Sequence, residues 1–278
     1  MAALHMFNLL SKHHSPRHRL RDAVKTNNTE KLTELLDQGI DPNMKLEKTG
    51  GNRPVHLAAT YGYYRIIELL VNAGAICNLL NDSGETALFN AIRFKHPRAL
   101  QVLLKHSSQV TGLDQLWFDG RIVKRILCHG SGPVISTLII ATPNLRLSRS
   151  NLWSNILNIC VSRIQDYNSI QLLFLTGYRN PDEEFVSFEI KIIKKLQRFE
   201  SGDCGLRMTG AESTDAIQVL RQAVDFICKL KQNPQSLKQC CRLTIRSSFH
   251  NRCNVYYGVE QLPLPKDLKK YLVFHGEF

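Results

Sequence analysis

A stretch of this chain recurs at a fixed spacing, which restricts its fold more than any single motif does. Residues 53 to 75 run Arg53-Pro54-Val55-His56-Leu57-Ala58-Ala59-Thr60-Tyr61-Gly62-Tyr63-Tyr64-Arg65-Ile66-Ile67-Glu68-Leu69-Leu70-Val71-Asn72-Ala73-Gly74-Ala75. Thirty-three residues later, Thr86-Ala87-Leu88-Phe89-Asn90-Ala91-Ile92 matches the opening, and Leu100, Val102, Leu103 and Leu104 match the second half. Thirty-five residues earlier, Ala23, Leu35, Leu36, Gly39 and Asn43 hold the corresponding places. Each copy joins an inner helix carrying small alanines (Ala58, Ala59; Ala91), which let neighbours approach, to an outer helix whose paired leucines feed a shared core. Such a unit cannot bury its faces alone, so at least three are expected to stack.

The period near thirty-three, with a Thr-Pro-Leu-His-like opening, resembles the ankyrin repeat over about residues 20 to 110. Gly74 supplies the left-handed helix end, and Asn81-Asp82-Ser83-Gly84 reads as the finger before the third unit. The resemblance implies that His56 ties adjacent turns together by hydrogen bonds, a structural role. Residues 1 to 19 read as a basic arm: His13, His14 and His18 stand beside arginines with no ligand-pair spacing and no cysteine, so no metal is expected there.

From 111 to 233 the pattern fades, and the region reads either as degenerate ankyrin units or as a separate helical domain. Leu172-Leu173-Phe174-Leu175-Thr176-Gly177 copies the end of the second unit, and Trp153 to Cys160 is a candidate inner helix. Leu116 to Thr142 is a further degenerate candidate, with Gly130-Ser131-Gly132-Pro133 as its turn. Phe185 to Phe199 reads as an amphipathic helix, Gly202 to Gly210 as a loop, and Ser213-Thr214-Asp215 as the cap of a helix running to about Lys231.

The last segment, 234 to 278, is denser in signals. Ser236 can cap a helix and Gln239, three residues on, can reach back as the second half of a capping box. Leu237, Cys241 and Ile245 recur every four residues, with Cys240 and Leu243 beside them, so one face carries an apolar strip that needs a cover. After a polar turn around Ser247 to Asn254, the prolines of Leu262-Pro263-Leu264-Pro265 stiffen an extended elbow. Pro265 is placed to open a short helix bearing Leu268, Tyr271 and Leu272. A segment this small, with two amphipathic helices and a stiff elbow, is too short for a core of its own and is expected to dock on the preceding region, on a partner, or on both.

Leu237-x-x-x-Cys241-x-x-x-Ile245 resembles the BC box that enters Elongin C, and Leu262-Pro263-Leu264-Pro265 with Leu268 and Tyr271-Leu272 resembles the cullin box that selects Cullin-5. Their order is that of a SOCS box, and the whole chain resembles the ankyrin repeat and SOCS box family. The expected fold is all-α, an ankyrin-repeat solenoid followed by a SOCS box.

The function implied by that resemblance is a substrate-recognition adaptor of an Elongin BC, Cullin-5 and RING ubiquitin ligase. Elongin C would take Leu237, Cys241 and Ile245, with Elongin B as its companion, and the cullin would take Leu262, Pro263, Leu264 and Pro265. For an unidentified protein substrate, the candidate contacts are Thr60, Tyr61, Asp82, Arg93 and Phe94. Tyr61 and Phe94 lead because aromatics tend to carry interface energy.

Composition narrows the alternatives. A net charge of +12, from 36 basic and 24 acidic residues, favours acidic partners, but the charge is dispersed without interleaved aromatics, which disfavours a nucleic-acid role. The eight cysteines show no metal-ligand pairing. The longest apolar run, about Val134 to Ala141, is too short to cross a bilayer, and the N-terminus makes a poor signal peptide, so the expected location is the cytoplasm or nucleus. No nucleophile elbow, paired His-x-x-x-His or dinucleotide fingerprint appears, so the expectation is a non-enzyme without cofactor. The rival reading is a plain ankyrin scaffold binding an acidic protein or nucleic acid, its last helices merely capping the solenoid.

Overall fold

The computed structural model describes residues 15–46, 50–107, 131–142, 167–177, 190, 192–194, 196–198, 210–232, 236–249 and 253–275, in two compact units, Met1–Val110 and Thr111–Phe278. All regular elements among the described residues are helices.

The first unit holds three helical pairs. Inner helices α1 (Pro16–Lys25), α3 (Pro54–Tyr61) and α5 (Ala87–Arg93) alternate in the chain with outer helices α2 (Thr29–Asp37), α4 (Tyr64–Asn72) and α6 (Pro97–His106). α3 packs on α1 and α5, and α4 on α2 and α6, giving two layers. Prolines sit in the first turn of α1, α3 and α6, where a missing N–H costs nothing, and Asn28 and Thr86 cap α2 and α5 through their side chains. The core between the layers is Leu20, Val24, Leu32, Leu35, Ala58, Ile66, Ile67, Leu70, Ala91, Leu100 and Leu103, all fully buried. Gly62 turns α3 into α4 with φ of 76°, and a side chain there would also run into the His96 imidazole.

His56 performs the tie its sequence position implied. It is fully buried; its Nδ1 accepts the Arg53 N–H at 3.4 Å and its Nε2 lies 3.1 Å from the Glu85 carbonyl, so the ring is held neutral with the proton on Nε2. Burial pushes its pKa below the ordinary value. The unfolded chain then binds the extra proton first as pH falls. Stability is expected to decline from about pH 6.5, the unfolded value, down to the lowered folded value, by about 1.4 kcal/mol per unit of depression. Urea unfolding across pH 7.5 to 4.5 should show this slope, and His56→Gln should flatten it; an unchanged slope would assign the loss to other groups.

The second unit contains α7 (Gly132–Ala141), α8 (Tyr167–Gly177), α9 (Gly210–Gln232), α10 (Leu237–Ser247), α11 (Val255–Gln261) and α12 (Lys266–Leu272). α7 packs on α8, where Ser136 and Ser169 hydroxyls lie 2.9 Å apart, and α8 packs on α9. Helices α4, α6, α7 and α8 are described from Tyr64, Pro97, Gly132 and Tyr167, intervals of 33, 35 and 35 residues.

Several local expectations shift. Gly132 and Pro133 form the first turn of α7 rather than a turn before it, because proline's fixed φ suits a helix start. Ser213, Thr214 and Asp215 lie inside α9, which starts at Gly210; Ala211 and Glu212 are good helix formers that extend it backward. Residues 192–194 and 196–198 are helical, within the amphipathic stretch read from sequence. Trp153 to Cys160, the stretch 202–209 and the histidines at 13 and 14 lie outside the described residues.

Candidate docking box

α10 begins as its sequence predicts. The Ser236 Oγ accepts the Gln239 N–H at 3.2 Å. The capping box is only half made, however: the Gln239 side chain donates instead to the Leu175 carbonyl, 3.0 Å away in the last turn of α8. Carbonyls at a helix end lack intrahelical partners, so this acceptor outcompetes the reach back to Ser236.

The apolar strip faces outward. Leu237 is 80% exposed, Ile245 is 38% exposed, and Cys240 and Cys241 are exposed as well. The buried face is the cationic one: Arg242 and Arg246 are the residues of α10 that solvent does not reach. Arg246, fully buried, donates through Nη1 to the Leu272 carbonyl at 2.9 Å, and through Nη2 to Ile140 at 2.8 Å and Thr142 at 3.3 Å. Those last two carbonyls lie at the C-terminal end of α7, where a cation also meets the negative end of the helix dipole. Burial pushes its pKa down to about 9, so it remains charged at neutral pH.

Arg242 lies over Tyr271 at 3.5 Å and Phe274 at 4.2 Å, and Arg246 stands 5.0 Å from the Phe274 ring. Tyr271 in turn donates its hydroxyl to the Lys238 carbonyl at 2.9 Å. α10 is thus bound on one side to α12 by guanidinium–aromatic stacking and stitched to the ends of α7 and α8. Its opposite, apolar side is left to solvent.

Between the stretch read as a polar turn, to Asn254, and the elbow at Leu262 stands a third helix, α11, which the sequence reading did not assign. Asn254 caps it, accepting the Tyr257 N–H at 3.0 Å, and Val255, Tyr256 and Val259 are buried. Gly258 is required where it stands: an added Cβ would lie 2.6 Å from the Phe249 ring. Phe249, Val255, Val259 and Leu272 form a small core with Leu262 and Leu264 packed against it, so the segment does enclose some apolar contact of its own, and α11 also rests on α7. Three short helices rather than two make this possible.

The elbow divides its residues between tasks. Leu262 and Leu264 turn inward to that core, whereas Pro263 and Pro265 are exposed. Pro265 is the N-cap of α12 and Lys266 its first residue, one position later than expected, because ψ of 148° keeps the proline extended. Leu268 is exposed and Leu272 buried.

The candidate substrate contacts separate into two places. Thr60, Tyr61, Arg93 and Phe94 sit at the turns from inner to outer helix, Tyr61 and Phe94 both exposed. Thr60 is occupied structurally: its hydroxyl donates to the His56 carbonyl and accepts from Asn90. Asp82 lies at the finger between α4 and α5, ion-paired with Lys45 at 2.8 Å. Sequence reasoning missed Arg242, Arg246 and Phe274, and it placed Tyr271 on the last short helix without its contact to Arg242. The signal available was two arginines four apart on the face opposite the strip.

Comparison with known proteins agrees with this architecture. Family models match ankyrin repeats, in three copies, over residues 20–114 and a SOCS box over 233–272. Over 100 residues the chain is 32% identical to the probable E3 ubiquitin-protein ligase XBOS32 of Oryza sativa subsp. japonica, covering 35% of this chain and 20% of that protein. It is 36% identical over 85 residues to the SH3 and multiple ankyrin repeat domains protein 2 of Homo sapiens, covering 30% and 4%. It is 36% identical over 176 residues to the ARF GTPase-activating protein Git of Drosophila melanogaster, covering 61% and 24%. The alignment spans about a fifth of the length of the plant ligase. Three ankyrin copies followed by a SOCS box make this chain an ankyrin repeat and SOCS box protein.

Proposed function

We propose that the chain is the substrate-receptor subunit of a ubiquitin ligase: the SOCS box docks on Elongin C, bound to Elongin B, and on Cullin-5 with its RING subunit, while the ankyrin unit holds a target protein. The chain performs no chemistry itself; it raises the local concentration of a target lysine beside the activated ubiquitin. The observation that carries the reading is the outward apolar strip Leu237, Cys241 and Ile245 on a helix anchored through its other face. An apolar row left in water on a fixed helix is what a helix-in-groove partner needs. The plain-scaffold alternative, in which the terminal helices only cap a solenoid, would require that strip to face inward.

Co-expression with Elongin B and Elongin C tests the reading: a stoichiometric ternary complex on size exclusion is expected, and a chain that elutes alone would overturn the assignment of the strip to Elongin C. The elbow is separable from the strip. Pro263→Ala with Pro265→Ala removes exposed, stiff contacts while leaving Leu262 and Leu264 in their core. Affinity of the ternary complex for Cullin-5 is expected to fall about tenfold, through lost contacts and a looser elbow, with Elongin capture unchanged. Equal loss of both would show that the two motifs are not separate.

A further inference from the structure

The turns between inner and outer helices of the second and third ankyrin copies carry an uncompensated cationic surface. Residues 61–65 and 93–98 read Tyr-Gly-Tyr-Tyr-Arg and Arg-Phe-Lys-His-Pro-Arg, with no acid in either. Arg65, Arg93, Lys95 and Arg98 are exposed, and none is in an ion pair among the described residues. Glu68, one turn along α4, pairs with neither Arg65 nor Arg98. Two other exposed cations of the same unit are neutralised, Lys31 by Glu34 and Lys45 by Asp82, each at 2.8 Å, whereas Arg17 and Lys25 stand singly on α1 rather than clustered.

The arginines are also held. Arg93 lies 5.3 Å from the Phe94 ring, and Arg65 and Arg98 each 5.9 Å from the Tyr64 ring. At these distances the rings attract the guanidinium charge while its fork of N–H donors stays open to solvent. The turns beneath are fixed by the His96 ring, 3.0 Å from the Thr60 carbonyl, and by Asn90, which bonds Thr60 Oγ1 and the His56 carbonyl. A cluster of guanidinium forks on fixed turns is suited to carboxylates.

We propose that this turn surface, Tyr61, Arg65, Arg93, Phe94, Lys95 and Arg98, captures an acidic segment of a protein partner, whose carboxylates take the guanidinium forks while Tyr61 and Phe94 cover its apolar atoms. This deepens the receptor reading by giving the target a chemical class. A nucleic-acid strand fits less well. A run of bases needs successive open ring faces, and here Tyr61 and Phe94 offer one each at most, since Tyr61 stacks on Tyr63 at 5.5 Å and Phe94 lies beside Arg93.

The test uses the full chain in complex with Elongin B and Elongin C, or alone if no complex forms, so that failure of the ligase reading does not obscure the result. The probes are a fluorescein-labelled twelve-residue peptide alternating glutamate and leucine, its glutamine counterpart, and a twelve-nucleotide single strand. Anisotropy titration should show the glutamate peptide binding at least about tenfold tighter than the other two, and Arg93→Gln with Arg98→Gln weakening it about tenfold or more while leaving Elongin capture as in wild type. Equal binding of the glutamine peptide, tighter binding of the nucleic acid, or an unaffected double variant would each overturn the proposal.

Discussion

Leu237→Asp is expected to abolish recovery of Elongin B and Elongin C with this chain while leaving the chain folded. Both halves of that result follow from where Leu237 stands. At 80% exposure it contributes almost nothing to the fold in the free chain, so the substitution should change stability by no more than about 0.5 kcal/mol. It is moreover the first residue of α10, where a carboxylate faces the positive end of the helix dipole. The helix is therefore not weakened. In an apolar groove the same change removes about 2 kcal/mol of leucine burial and leaves a carboxylate to be desolvated without a partner, for about 2 kcal/mol or more. A combined loss near 4 kcal/mol is roughly a thousandfold in affinity, enough to empty a pull-down. Leu237→Met, similar in size and apolar, should retain capture. If Leu237→Asp co-purifies with the Elongins as wild type does, the strip is not the docking face, and the exposed row has some other cover.

The contrast between strip and anchor also marks what could be read from sequence. The stride of four through Leu237, Cys241 and Ile245 was legible because helical periodicity places equal spacings on one face. The ankyrin copies were legible for a similar reason: one long-range pattern fixes inner and outer helices together, and the tie made by His56 followed from the family resemblance that pattern carries. What periodicity cannot say is which face of α10 the chain itself covers. Apolar patterning alone favours burying the strip, yet the buried residues are Arg242 and Arg246. Their burial depends on carbonyls supplied by Ile140, Thr142 and Leu272, as many as 106 residues away in sequence, and on two rings near the end of the chain. No local rule brings such groups together. α11 was missed on similar grounds, since Val255 to Gln261 is only seven residues long and its two tyrosines are poor helix formers; Asn254 and packing on α7 make it a helix.

Arg246 is then the residue on which presentation of the strip depends, and Arg246→Met is expected to destabilise the second unit by roughly 3 kcal/mol or more. Methionine fills much of the same space without a charge, so the loss isolates the guanidinium. Removing it strands acceptors at the end of α7 and at Leu272, each costing about 1–3 kcal/mol where water does not replace the donor. Arg246→Lys should fall between the two, because an ammonium keeps the charge but cannot span both Leu272 and the α7 carbonyls in one fork. Urea unfolding gives the magnitude, and amide hydrogen exchange gives the place: protection should drop across α10 and α12 first, with the ankyrin core of the first unit unchanged. A Met variant as stable as wild type would mean that the buried charge costs as much to desolvate as its hydrogen bonds return, an outcome known for buried ionic groups in general. The exchange data separate that case from a loss of anchoring. If stability is kept but α10 exchanges faster, the guanidinium specifies the orientation of the strip without adding to the free energy of folding, and Elongin capture should weaken even though the unit still melts as before.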